Sequence, residues 1–331
     1  MQLSPIAILG AGSWGTALAI HLAQNRQSVN LWEFDTDQVV ALQRDRSNQR
    51  YLSGFKLPDN VMVMGDMESA VKDVQDILIV VPSFAFYQTL LVLKPLISAD
   101  IRIAWATKGI DHESCRLLHE LVIEHLGERP IAVISGPSFA REVAQGLPTA
   151  VVAASNDEDF VRDLVKRFNH HAFRVYMSKD IIGVQLGGAI KNVIAIAVGA
   201  SDGLHYGANA KSALVTRGLA EIMRLGLAMK AESRTFMGLS GLGDLVLTCT
   251  DNQSRNRRLG LAIAKGQSVD AAMQEIGQVV EGINTVDQVL CLAKKYKVEM
   301  PICQQVGRIL SGKIQLRDAV VELLSRSPKF E

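Results

Sequence analysis

Lys191 has the surroundings of a proton donor. From Ile181 to Ala200 the residues are apolar or small nearly throughout, so a helix over this stretch is hydrophobic all round and buried. An ammonium there needs an anionic partner or gives up its proton more readily, because desolvation disfavours the charged form. That makes Lys191 a candidate general acid and base. The structural alternative is a stem laid in the core with its head reaching water. Length alone is compatible with a membrane span, but Gln185, Lys191 and Asn192 fall near the middle, and a central Lys costs roughly 2.5–3.5 kcal/mol in lipid. No membrane-spanning segment is expected.

A second chemical group is glycine-rich. The apolar run Ile6 to Leu9 is followed by Gly10, Gly12 and Gly15 in G-A-G-S-W-G and then by a helical pattern through Leu22. Strand, tight turn and helix in that order suit a pyrophosphate: one glycine permits the turn, one lets the backbone approach the anion, and one lets helix pack on strand. A second strand, Val29 to Trp32, ends at Glu33, about 20 residues on, where an acid bonds a ribose 2′-hydroxyl. Glu33 favours NAD, since it would repel the 2′-phosphate of NADP, yet Arg44, Arg46 and Arg50 follow and could reach that phosphate. The cofactor is therefore left as NAD(P)H.

A third group lies in Gly238 to Arg258. Ser254, Arg255 and Asn256, beside Arg257 and Arg258, offer hydroxyl, guanidinium and amide donors, the set a phosphate dianion requires; a basic solvated turn is the plainer account. Gly241 and Gly243 read as a flexible loop before Asp244. Lys108 stands just after a strand, and Gly136-Pro137-Ser138 opens a short helix, Phe139 to Ala144, with backbone N–H groups free for an anion.

The elements that must hold these groups alternate. Val61 to Met64, Ile77 to Val81, Ile101 to Ala104, Ile131 to Ser135, Thr149 to Ala153 and Phe173 to Tyr176 read as further strands, mostly continuous apolar runs that suit a sheet covered on both faces. After Met177 the periodicity is helical to the end. The expected fold is thus α/β: a Rossmann-like N-terminal domain with a mostly parallel sheet, residues 1–180, followed by an all-α domain, 181–331. The helix carrying Lys191 would connect them, with its middle near the crevice.

Composition narrows the function. The chain has 331 residues, 48% apolar and 21% charged, with net charge +1, which is ordinary for a globular protein and argues against nucleic acid as a partner. The start, MQLSPIAILGAG, enters a strand pattern with no basic or cleavable leader, so a cytoplasmic protein is expected. Cys115, Cys249, Cys291 and Cys303 are far apart and read as free buried thiols. Neither they nor the adjacent His170 and His171 have metal-ligand spacing, and no metal is expected.

Together these segments are more than patterns. G-A-G-S-W-G-T-A at Gly10–Ala17, W-A-T-K-G at Trp105–Gly109, S-G-P-S-F-A at Ser135–Ala140, G-A-I-K-N-V-I-A at Gly188–Ala195 with D-G and G-A-N after it, and G-L-G-D-L followed by N-Q-S-R-N-R-R resemble the bacterial NAD(P)-dependent glycerol-3-phosphate dehydrogenases. The resemblance spans nearly the whole chain; the first glycine motif is shared by many dehydrogenases. It implies reversible reduction of dihydroxyacetone phosphate to sn-glycerol 3-phosphate, supply of glycerophospholipid synthesis, and a homodimer. It places Lys191 as the proton acceptor. It gives Ser13, Trp14, Lys108, Ala140, Arg255, Val279 and Glu281 as cofactor contacts, with Tyr51 near the cofactor. Lys108, Gly136, Ser138, Lys191, Asp244, Ser254, Arg255 and Asn256 become substrate contacts, with Asp244 orienting either Lys191 or a substrate hydroxyl. One departure stands out: many relatives carry Arg or His after the second strand, and this chain has Glu33-Phe34. The competing readings are a related two-domain hydroxy-acid dehydrogenase with another substrate, and a non-catalytic NAD(P) sensor.

Overall fold

The computed structural model describes residues 4–327. The apolar runs become strands β1 (Ile6–Leu9), β2 (Val29–Trp32), β3 (Val61–Met64), β4 (Asp76–Ile79), β5 (Arg102–Trp105), β6 (Ile131–Ser135), β7 (Thr149–Ser155) and β8 (Phe173–Ser178). They form one sheet in the order β3-β2-β1-β4-β5-β6-β7-β8, parallel except where β7 runs against β6. β1, β4 and β6 are buried along their whole length, which is why they lack the alternation of a half-exposed strand. Among them run α1 (Ser13–Gln24), α2 (Thr36–Asp45), α3 (Met67–Val71), α4 (Ser83–Leu93), α5 (Leu118–Leu126), α6 (Ala140–Ala144) and α7 (Glu158–Phe168).

Hydropathy misplaces β4. The run Ile77 to Val81 suggests a strand, but pairing starts at Asp76, opposite Ile6 and Arg102, and ends at Ile79. A carboxylate is tolerated in the sheet because two guanidinium groups hold it: Arg102 Nε and Arg167 Nε each donate to Asp76 at 2.6 Å. Buried charge survives only when paired and hydrogen-bonded, and those partners come from β5 and α7. The short helix expected from Phe139 begins one residue later, with Phe139 preceding its first turn.

The remaining chain is helical: α8 (Ile181–Gly203), α9 (Gly207–Ala228), α10 (Ser233–Phe236), α11 (Asp244–Thr250), α12 (Arg255–Ala264), α13 (Val269–Ile276), α14 (Glu281–Lys295), α15 (Pro301–Leu310) and α16 (Leu316–Leu324). Two compact units result, Met1–Asp111 with Arg116–Gln185, and His112–Cys115 with Leu186–Glu331. α8 is long and apolar enough to cross a membrane, but 83% of its apolar window is buried within the protein, as in a core helix. Of the cysteines, Cys249 and Cys303 are buried as expected, whereas Cys291 is exposed and Cys115 partly so. Burial pushes the Cys249 thiol up to about 12, so that sulfur is not a ready nucleophile.

Candidate active site

In the first unit the glycine loop lies where β1 separates β2 from β4, the place at which this sheet order reverses and ligands bind. Gly10 has φ +113°, and a Cβ there would stand 3.0 Å from Val81 N; one on Gly15 would be 1.9 Å from Gly10 O. Larger residues would push the loop off β4 or α1 off the loop. At Gly12, by contrast, an added Cβ meets nothing within 4 Å. Gly12 is also the N-cap of α1 and has no side chain to cap it, so the first-turn amides of Ser13 and Trp14 are left for an anion. Trp14 Nε1 is buried without a hydrogen-bond partner among the described residues. An open glycine, uncapped amides and an orphaned donor fit a dinucleotide's pyrophosphate.

The loop is braced from behind. Asn48, fully buried, donates to Ala11 O and Thr16 Oγ1, both at 2.7 Å, and accepts from Tyr51 N at 3.0 Å. That tie brings Tyr51 to the loop's neighbourhood. Glu33 at the end of β2 accepts from Ala11 N at 3.1 Å. Lys108 donates to Gly136 O at 3.0 Å, as does Ser138 Oγ at 2.8 Å, so the expected substrate contacts Lys108, Gly136 and Ser138 meet at one carbonyl oxygen. Ala140 opens α6.

In the second unit, α8 is crossed closely by its neighbours. A Cβ on Gly187 would lie 2.3 Å from Ser240 O, and one on Gly199 2.0 Å from Arg257 O. The segment read as a flexible loop is therefore something else: Leu239–Gly243 is a wide π-type turn with Ser240 and Gly241 buried. A Cβ on Gly241 would lie 2.2 Å from Phe236 O, so this glycine serves close approach to the end of α10, and the turn delivers the start of α11 against α8. Asp244 and Thr248, four apart and so on one face of α11, both reach Lys191.

The result is a buried ammonium with two oxygen partners. Lys191 Nζ donates to Asp244 Oδ1 at 2.6 Å and to Thr248 Oγ1 at 2.8 Å, while Thr248 donates its own proton to Asp244 O at 2.6 Å. Lys191 is 6% exposed and Asp244 1%. Of the two partners expected for Asp244, its carboxylate meets Lys191. Thr248 escaped the sequence reading; its only signal is its spacing from Asp244.

Asn192 follows Lys191, so it points about 100° away around α8 and meets α12 instead. Its Oδ1 accepts from Asn256 Nδ2 at 3.0 Å, and Asn256 Oδ1 accepts from Gly282 N at 2.9 Å. Asn256, expected to bind phosphate, thus has its carboxamide engaged in joining α8, α12 and the first turn of α14. Ser254 Oγ accepts from Arg257 N and caps α12. Arg257 is fixed by Asp202 at 2.5 Å, and Lys211 joins the same carboxylate at 2.9 Å. Burial opposes ionisation of Asp202, but these two cations outweigh it and hold its pKa below the ordinary value.

Arg255 differs. It makes no ion pair within 4.0 Å among the described residues, and burial lowers its pKa while the field of Glu281 opposes that shift. A partly buried, always-charged guanidinium beside the first turn of α12 is the natural seat of an anion. Val279 is exposed, just before α14, which starts at Glu281.

Comparison with known proteins decides which catalyst this resembles. Family models for the N-terminus and the C-terminus of NAD-dependent glycerol-3-phosphate dehydrogenase match residues 5–161 and 180–321. The chain belongs to the NAD-dependent glycerol-3-phosphate dehydrogenase family. A glycerol-3-phosphate dehydrogenase [NAD(P)+] of Coxiella burnetii (strain RSA 331 / Henzerling II) is 54% identical over 327 residues, covering 99% of this chain and 98% of its own. One from Tolumonas auensis is 52% identical over 328 residues, 98% of each chain. A crystal structure of glycerol-3-phosphate dehydrogenase from Coxiella burnetii superposes with a TM-score of 0.96, at 52% identity, over 98% of this chain and 99% of that one. The N-terminal family segment contains the glycine loop, Glu33, Lys108 and Ser138; the C-terminal segment contains Lys191, Asp244, Thr248 and Ser254 to Asn256.

Proposed function

We propose that this chain interconverts dihydroxyacetone phosphate and sn-glycerol 3-phosphate, with Lys191 as the acid and base. As a member of its family the protein is an NAD(P)-dependent oxidoreductase acting on the CH–OH group of a small substrate, and the reading includes supply of glycerophospholipid synthesis. The observation that supports the assignment to Lys191 is its buried pairing with Asp244 at 2.6 Å, which keeps an ammonium where an unpaired one would be costly.

Bound NAD(P)H supplies the hydride that reduces C2 of the ketone. Gly10, Gly12, Ser13, Trp14 and Gly15 would hold its pyrophosphate, and Glu33 a ribose hydroxyl. Lys191 donates a proton to the C2 oxygen as charge builds there, and in the oxidation direction it takes that proton back. Asp244 keeps the amine charged and aimed. Thr248 accepts from Lys191 and has given its proton to Asp244 O, so it orients the amine and is no proton source. Arg255, with the α12 amides of the Ser254 turn, takes the phosphate; binding energy from that remote group positions the carbonyl.

The same reading assigns residues 1–180 to the dinucleotide and 181–331 to the substrate, and Lys108, Gly136 and Ser138 to substrate contacts. It includes a cytoplasmic homodimer, supported by the family resemblance. Steady-state oxidation of NADH and NADPH with dihydroxyacetone phosphate, set beside a 3-keto acid, tests the function. Turnover of the keto acid alone would replace it with a hydroxy-acid dehydrogenase, and dinucleotide binding without any turnover with a sensor. Sedimentation velocity tests the dimer.

A further inference from the structure

The end of β2 holds two carboxylates that together occupy what a 2′-phosphate would need. Glu33 Oε1 accepts from Phe34 N at 3.0 Å and Asp35 N at 3.1 Å, while Oε2 accepts from Ala11 N. Three of its roughly four acceptor positions are filled, so the charge is fixed in place and one position remains for a hydroxyl. Asp35 is the N-cap of α2: its Oδ1 accepts from Asp37 N at 3.0 Å and Gln38 N at 3.2 Å. The helix end that would otherwise attract a phosphate already carries a carboxylate.

The arginines are engaged as well. Arg50 pairs with Asp35 at 2.9 Å and lies over the Tyr51 ring. Arg44 grips Asp45 through two bonds of 2.7 and 2.9 Å. Arg46 donates to Pro58 O at 2.6 Å. Each of these arginines, and the amides of Phe34, Asp35, Asp37 and Gln38, makes at least one bond within the chain.

We infer that Glu33 and Asp35 jointly make this member of the family selective for NAD(H) over NADP(H), with Asp35 a second specificity residue that works by filling the α2 N-terminus and holding Arg50. The inference rests on the dinucleotide reading above. A fixed Glu33 carboxylate beside the ribose site would repel a 2′-phosphate dianion, and Asp35 adds to that by occupying the α2 N-terminus and pairing with Arg50, a combined effect of about tenfold.

The test measures binding and turnover in parallel. Titration calorimetry on the intact enzyme should give NAD+ a dissociation constant at least about tenfold below that of NADP+, and kcat/KM for NADH should exceed that for NADPH by a similar factor. Asp35→Ser keeps a capping oxygen but removes the charge and releases Arg50; it should bring the two cofactors together by about tenfold, mainly through tighter NADP+. Glu33→Gln should move the ratio the same way. Equal use of both cofactors by the unaltered enzyme overturns the inference, as does an Asp35→Ser enzyme that weakens both cofactors alike. If NAD+ outbinds NADP+ but no reduction of dihydroxyacetone phosphate occurs, the selectivity stands and the substrate assignment falls.

Discussion

Lys191 Nζ and Asp244 Oδ1 lie 2.6 Å apart with side chains 8% and 1% exposed, on helices whose sequence separation gives no hint of contact. A buried pair of this kind adds little net stability, because desolvation offsets the attraction. It is the sort of arrangement kept for chemistry. Lys191→Ala should lower kcat by roughly 10²–10⁴ with dinucleotide affinity retained, the loss expected of a general acid and base. Stopped-flow reduction and cofactor titration check this; an unchanged kcat removes Lys191 from the mechanism.

Removing one partner of the pair is the costly change. Asp244→Ala should destabilise the protein by about 3–5 kcal/mol, since it strands a buried charge. Lys191→Met combined with Asp244→Leu should recover most of that loss while leaving the enzyme inactive. Thermal melts of the single and double variants decide it, and a double variant as unstable as Asp244→Ala would mean the pair does not act as a unit.

Arg255 makes a separable contribution. Arg255→Ala should raise KM for dihydroxyacetone phosphate with a smaller change in kcat, and the penalty should shrink for dihydroxyacetone, which lacks the phosphate. Equal penalties for the two substrates would show that Arg255 is structural.

Asn256 joins three helices, so its loss should register in stability as well as binding. Asn256→Ala leaves Gly282 N–H and Asn192 Oδ1 without their partner, at a cost of about 1–3 kcal/mol. A melt unchanged from the parent protein would contradict that joining role.

His21 sets a pH dependence away from the site. It is buried against Phe168 O at 2.7 Å, and burial lowers its pKa, with the bond to Phe168 opposing and His170 and His171 adding to the shift. The unfolded chain therefore takes up the proton more readily. The stability contributed by neutral His21 is complete above its ordinary value of 6.5 and is lost as pH falls from there through the lowered folded value. The melting temperature should drop between neutral pH and mild acid, and His21→Gln, which keeps a donor to Phe168 O but cannot titrate, should flatten that drop. His119 and His170, whose pKa values burial also lowers, remain in both proteins, so an identical slope would assign the effect to them.

Much of this was written locally. The glycine spacing before a helical pattern, the apolar strand runs and the change to helical periodicity after Met177 depend on backbone geometry and short-range hydrophobic period, and the strands formed within a residue or two of where they were expected. β4 slipped to include Asp76 because its two arginine partners are remote in sequence. Leu239–Gly243 reads as a loop from its glycines alone, because only the backbone of Phe236, against which Gly241 lies, reveals why a side chain is absent there.

The chain's own order of residues determined that Lys191 would be buried, that a glycine-rich turn would join β1 to α1, and to which family the protein belongs. Tertiary structure decided that Asp244 and Thr248 meet Lys191, that Asn256 joins helices, and that Glu33 accepts from the glycine loop at Ala11 N while Asp35 pairs with Arg50. The period of a helix fixes which residues share a face, but the partner of that face is set by where helices cross, and crossing is a property of the packed whole.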